Sequence, residues 1–166
     1  MPESAWPAVP RPFVDEAFGG WFGRVAGRYG ITVDELGAAA NIQLNLYPDG
    51  SGWLAAGAPA GSSMRRLAAL CRLAPAEIEA LAKTGTVRAG GLAYCYRCLI
   101  LNPQDVCSPY WKDSWLDDSR PPCYEHLSWV GCVSPVDMRQ NRNLPRLLRT
   151  LSRKWRDKWH PWWRSR

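Results

Sequence analysis

Hydrophobic residues near the start of the chain recur at three- and four-residue steps. Val14, Phe18, Trp21, Phe22, Val25 and Tyr29 share one face of a helix predicted to start at Asp15 or Glu16, and Gly30 supplies a left-handed stop. Glycines 19, 20, 23 and 27 interrupt that face. Each lowers helix propensity by up to ~1 kcal/mol, so this helix forms only when packed. Thr32 and Glu35 make a capping box for a second helix running to about Ala40. The periodicity fades from Asn41 to Gly61, where Pro48, Gly50, Gly57 and Pro59 break the chain and Trp53-Leu54 anchors it to the core. Ser62 or Ser63 is predicted to cap a helix through Arg72 that turns Leu67, Leu70 and Cys71 inward. Pro75 then opens a short helix over Ala76 to Lys83. Two short helices joined by such a turn match a helix-turn-helix.

Farther along, Val133 to Asn143 reads as a linker. Asn143 caps a last helix with Pro145 in its first turn, and Pro161 ends it. Leu144, Leu148, Leu151, Trp155 and Trp159 line one face of this helix, and Arg146, Arg149, Arg153 and Arg156 line another. The predicted fold is therefore mainly α, in four parts. An extended lead-in (1–12) precedes a helical, helix-turn-helix-like domain (13–90). A small zinc-binding, ribbon- or knuckle-like segment (91–138) follows, then a basic amphipathic helix and tail rich in Trp and Arg (139–166).

Charge sharpens the reading of the tail. Residues 139–166 hold ten of the 21 Lys and Arg and one of the 15 Asp and Glu, so the tail carries +9 and the rest −3 (eleven basic, fourteen acidic). That asymmetry marks a basic arm for a polyanion or partner, and a solvated arginine face or a membrane-surface helix is the alternative. On the helix-turn-helix-like pair, Arg65 and Arg66 are placed to touch a nucleic-acid backbone. The second helix offers Glu77 and Glu79 where a groove-reading helix offers Arg, Lys, Asn or Gln. No apolar run approaches the ~18 residues of a membrane span. The N-terminus also lacks the basic start and apolar core of a signal peptide, so a cytoplasmic protein without a membrane partner is expected.

In a reducing compartment six cysteines read as metal ligands and buried thiols rather than disulfides. Cys95 and Cys98 form one two-residue-spaced corner, Cys123 and His126 a second, with a 24-residue insert between them. Two such corners are what a tetrahedral zinc ion takes. Three thiolates and one imidazole leave no open position for water, so the site is expected to be structural and to hold one Zn²⁺. Cys107 or Cys132 in place of His126 is the alternative ligand set, and Cys71 reads as a core thiol. Enzyme chemistry finds no support. The Gly19-Gly20 and Gly90-Gly91 pairs lack the Lys-Ser/Thr of a phosphate loop. Asp113, Asp117 and Asp118 sit in a loop-rich insert, apart from Asp137; Cys107 and Cys132 have no activating base near them in sequence, and His160, the candidate partner, sits in a helix-stop context.

These pieces resemble the TniQ family over roughly residues 6–132. The opening is similar in Trp6-Pro7, Arg11-Pro12 and the run from Asp15 to Gly30, with Gly20 where the family has Ser. The second helical pair is similar from Arg65 to Leu81. The best match is the metal segment, in the order Cys95-x-x-Cys98, Trp115, Cys123-x-x-His126, Cys132. Tyr96 replaces the proline usual after the first cysteine. Of a further Cys-x-x-Cys found in many members only Cys132 remains, so the chain resembles a short form. The resemblance implies a non-enzymatic adaptor in transposition. Such proteins link a target-recognising element, DNA or an RNA-guided effector complex, to an AAA+ ATPase transposition regulator. The alternative is a stand-alone, zinc-stabilised helix-turn-helix DNA-binding transcriptional regulator, and a purely protein-binding module is a third reading.

Overall fold

A computed structural model describes residues 5–44, 52–81, 91–101, 109–117, 119 and 121–163, with side chains to Lys158. The described chain is mainly helical with one two-stranded sheet. The helices are α1 (Phe18–Arg28), α2 (Val33–Ala39), α3 (Gly61–Cys71), α4 (Pro75–Glu79), α5 (Tyr96–Leu99), α6 (Pro135–Gln140) and α7 (Leu144–Trp163), and the strands are β1 (Leu92–Cys95) and β2 (Val130–Val133). Among the described residues, no helix is long and apolar enough to cross a membrane.

Helix α1 is the centre of the packing because its glycines let other elements approach. A Cβ on Gly20 would lie 2.5 Å from the Trp111 Cβ, and one on Gly23 would lie 2.4 Å from the Trp53 ring. The propensity that glycine forfeits is thus exchanged for contact with the insert and with the 3-10 turn Trp53–Ala55. Trp53 and Leu54 are buried as expected, and the Trp53 indole N–H donates to the Met138 carbonyl at 3.1 Å. One cluster of buried side chains runs from Ala17 through Trp111 and Tyr94 to Leu151.

The helix starts later than the periodicity suggests, and Val14 is wholly exposed. Residues 15–17 instead pair with the insert. Ala17 N–H donates to Trp111 C=O at 2.8 Å, Asp113 N–H to Asp15 C=O at 2.8 Å, and Glu16 bridges Lys112. Beneath this join lies a buried ion pair that the periodicity gave no hint of. Arg24 donates to both Glu16 carboxylate oxygens at 2.8 and 2.7 Å, and to the Arg11 carbonyl at 2.9 Å. The lead-in is therefore fastened down: Trp6 N–H reaches Leu70 C=O, and the Trp21 indole reaches Pro10 C=O, both at 2.8 Å.

The Thr32–Glu35 capping box forms, and Gly30 takes a φ of +72° at the end of α1. Three other boundaries differ from expectation. Ala60 stands at the N-cap of α3 with Ser62 and Ser63 inside its first turn, since Gly61 at φ +60° swings the chain into the helix early. Leu67, Leu70 and Cys71 do face inward. Helix α4 stops at Glu79, where Leu81 N–H tightens onto Ile78 C=O, and Lys83 and Gly90 lie outside the described residues. Helix α7 continues past Pro161 to Trp163. Asn143 caps it, accepting from Arg146 N–H at 3.0 Å.

The stretch expected as a linker is built into the core. Val133 ends β2, and Ser134 and Asp137 form a capping box for α6. Val133, Met138 and Asn143 are buried. The Asn143 side chain donates to the Ile31 carbonyl at 2.8 Å, and Lys154 of α7 reaches Asp137 at 2.5 Å. Such tertiary partners have no local sequence signature.

Candidate metal centre

The sheet brings the two cysteine corners together across the insert. β1 and β2 run antiparallel, with Leu92 opposite Val133 and Cys95 opposite Val130. Cys95 ends β1 and is the N-cap of α5, whose turn carries Cys98 back to the same side. The other corner, Cys123 to His126, leads through the 3-10 turn Leu127–Trp129 directly into β2. Strand pairing thus fixes where His126 meets Cys95. The insert packs beneath: the Trp115 indole donates to Pro122 C=O at 2.7 Å, just before Cys123. Tyr94, Trp111 and Trp115 cluster with ring centroids 5.1 to 6.4 Å apart.

The ligand atoms of Cys95, Cys98, Cys123 and His126 all lie within 4.8 Å of one another. The Cys98 and Cys123 sulfurs are 3.8 Å apart, and His126 Nδ1 lies 3.7, 3.6 and 3.4 Å from the sulfurs of Cys95, Cys98 and Cys123. A tetrahedral ion with thiolates at ~2.3 Å and imidazole at ~2.0–2.1 Å has S···S edges of about 3.8 Å and S···N edges of about 3.5 Å. The separations match those edges. The four residues therefore fit one tetrahedrally bound metal ion.

The surroundings of the thiols differ. Burial, together with the neighbouring Cys95 and Cys123, pushes the Cys98 thiol up to about 12. At Cys123 burial also raises the pKa, but the backbone N–H groups of Glu125 and His126 and the other two thiols outweigh it and lower the thiol below its ordinary value. A divalent ion held by these four residues would supply the positive charge that favours ionised thiolates. Cys132 is not one of the four. It pairs with Ala93 in the ladder, and its thiol is raised by burial and by Asp137. Cys71 is buried in the core, and Cys107 and His160 lie outside the described side chains.

An aromatic seam, not anticipated from the sequence, joins this centre to α7. Tyr96 stacks on Trp155 with centroids 4.2 Å apart, and Trp129 lies 6.1 Å from Trp155. The Trp155 indole donates to the Tyr94 hydroxyl at 3.0 Å. The one available signal was Tyr96 itself, an aromatic directly after a ligand cysteine.

The candidate polyanion contacts are spread over two helices. Arg146, Arg149, Arg153 and Arg156 are all exposed along α7, opposite the buried Leu144, Leu147, Leu151 and Trp155. Arg146 also donates to the Gly30 carbonyl at 3.2 Å, completing the end of α1. Trp159 lies outside the described side chains, and Leu147 joins the apolar face in addition to the expected positions. On α3, Arg65 is exposed and Arg66 half-buried. Glu77 on α4 is engaged within the fold, accepting from Ala74 N–H at 2.8 Å and pairing with Arg11 at 2.9 Å.

Among the described residues, the aspartates form no group that could hold an ion. Asp137 serves α6 and Lys154, Asp117 holds Ser119, and Asp118 lies outside the described residues. Among the described residues, no other group of three or more Cys, His, Asp or Glu side chains is close enough to hold an ion. Compared with protein-family models, curated proteins and solved structures, the chain matches none.

Proposed function

We propose that this chain is a non-enzymatic adaptor of the TniQ type, built around one structural zinc ion. Zn²⁺ suits a closed set of three thiolates and one imidazole, and its role here is to lock the insert and the β1–β2 pair together. The observation that carries the reading is the tetrahedral spacing of Cys95, Cys98, Cys123 and His126, reached through the same order of motifs as in that family. The adaptor presents its folded surfaces to an AAA+ ATPase transposition regulator. The α7 arginines, with Arg65 and Arg66 as secondary contacts, grip DNA through its backbone. Target recognition comes either from that DNA or from an RNA-guided effector complex. The stand-alone regulator is the weaker reading, since Glu77 and Glu79 put acids on the helix that would enter a groove, and Glu77 is already paired.

Two arms of one experiment test this. Pull-down of the full chain with an AAA+ ATPase transposition regulator encoded beside it is expected to succeed, and failure both with and without DNA would sink the adaptor reading. In a salt titration of duplex DNA binding, four arginine contacts give a slope of log affinity on log salt of about −3 to −4. Weak, sequence-independent binding with that slope is expected, reduced when Arg149, Arg153 and Arg156 become alanine. Nanomolar, sequence-dependent binding would instead identify a regulator.

A further inference from the structure

A cleft of about 770 Å³ opens between the lead-in, the last turn of α1 and the first turns of α7. That volume falls within the range of pockets that take a ligand or a peptide segment. Its apolar walls come from Val9, Leu144 and Leu148, and its polar lining is all of one sign: Arg24, Arg28 and Arg149. Among the described residues no acidic side chain lines it. Arg28 and Arg149 are exposed. Arg24 is 9% exposed; its Nε and Nη2 bond Glu16 and Arg11, and its guanidinium lies over the Phe13 ring, 4.7 Å from the centroid.

We propose that this cleft binds an acidic, apolar peptide segment of a partner protein. Its carboxylates would meet the exposed Arg28 and Arg149 at the rim. Its Leu- or Phe-like side chains would lie on Val9, Leu144 and Leu148. Charge complementarity selects this occupant. Guanidinium groups pair with carboxylates through directed forks, and a concave apolar floor gives affinity to side chains that a phosphodiester backbone does not have. The site goes beyond the zinc-centred adaptor reading and does not depend on the metal, since no metal ligand lines the cleft; it shares only Arg149 with the arginines assigned to DNA.

The probe is a fluorescein-labelled peptide of about twelve residues alternating Asp and Glu with Leu and Phe, titrated against the full zinc-loaded chain by fluorescence anisotropy. Its counterpart carries Asn and Gln in place of the acids. Saturable binding of the acidic peptide is expected, at least ~10-fold tighter than its amide counterpart, which corresponds to one good charged contact. Arg28→Glu, at an exposed position, is expected to weaken binding about tenfold or more on the same grounds, and Leu148→Ser to weaken it as well. Lys158→Glu, on α7 but outside the cleft, is expected to stay within about twofold of the parent. No saturable binding overturns the proposal, as does equal affinity for the two peptides. Equal losses from Lys158→Glu and Arg28→Glu overturn it too, because they mark diffuse charge attraction. Displacement of the peptide by duplex DNA in a manner abolished by Arg28→Glu overturns it in favour of a polyanion site.

Discussion

Replacing Arg24 with methionine exposes how the lead-in is held. In the folded chain Glu16 is 1% exposed, and both its oxygens are taken by Arg24. Oε2 also accepts from Phe13 N–H at 3.1 Å. Burial already raises the Glu16 pKa against the opposing pull of Arg24. Without the guanidinium, the carboxyl escapes an unpaired buried charge by taking up a proton. At pH 7 that protonation costs about 3–4 kcal/mol for a carboxyl of ordinary pKa, which caps the charge penalty. Breaking a buried pair by removing one partner typically costs 3–5 kcal/mol, so about 3–4 kcal/mol is the expected loss for Arg24→Met. Glu16→Gln keeps an acceptor for Phe13 but strands the Arg24 charge, and a loss of similar size is expected. The double variant Glu16→Gln/Arg24→Met removes both charges and is expected to lose at least ~2 kcal/mol less than the sum of the single losses. There is also a pH signature. In Arg24→Met the folded-state pKa of Glu16 rises further above its unfolded value. The deficit is therefore smallest near pH 4–5 and grows as pH rises towards the raised folded pKa. Urea unfolding followed by tryptophan fluorescence at about pH 5 and pH 7, on zinc-loaded protein, reads all three variants. Additive single losses below ~1 kcal/mol, unchanged by pH, would refute the reasoning.

Three further outcomes follow from the packing and the metal site. Gly23→Ala gains up to ~1 kcal/mol of helix propensity but drives a methyl to 2.4 Å from the buried Trp53 ring. Overpacking of about 1–3 kcal/mol is expected to win, so a stabilised variant in thermal melts would contradict the close approach of α1. Asp137→Asn removes the charge that caps α6 and holds Lys154, with an expected loss of about 1–2 kcal/mol by urea unfolding. Burial raises the Asp137 pKa, but Lys154 and Ser134 outweigh it and hold the carboxyl below its ordinary value. Its contribution is thus present above the unfolded pKa and fades as pH falls through the lower folded one, so the parent and Asp137→Asn should converge in stability under acid. A constant gap between them down to about pH 2 would count against this. Cys95→Ser is expected to lose the bound metal and lower the melting temperature, checked by elemental analysis and calorimetry, and unchanged values in both would sink the structural-metal reading.

The metal corners were legible because their spacing is local. Cys95 and Cys98, and likewise Cys123 and His126, are brought together by single turns that two intervening residues specify. The meeting of the two corners was not written locally. It depends on β1 and β2, each four residues long, and on Cys95 facing Val130. Strands that short show no alternation, and Val133 to Asn143 therefore reads as a linker, although its partners are Trp53, Ile31 and Lys154 of α7. The amphipathic face of α1 was readable from Phe18 onward. Val14 fitted the same period and failed, because backbone pairing with the insert claimed residues 15–17 first. The glycines of α1 illustrate the general limit. Propensity reports what glycine costs a helix, whereas the reason for keeping it at 20 and 23 lies in Trp111 and Trp53, far along the chain. Glu16 and Arg24, eight residues apart, form a pair that no local period specifies.

The claim on which the adaptor reading rests is a closed zinc site made by Cys95, Cys98, Cys123 and His126. X-ray absorption at the zinc edge, on protein purified with its native metal, reads that site directly. The expected spectrum has three sulfurs at about 2.3 Å and one nitrogen at about 2.0–2.1 Å, with one zinc per chain. A first shell containing water or carboxylate oxygen, or a chain that folds without zinc, would contradict it.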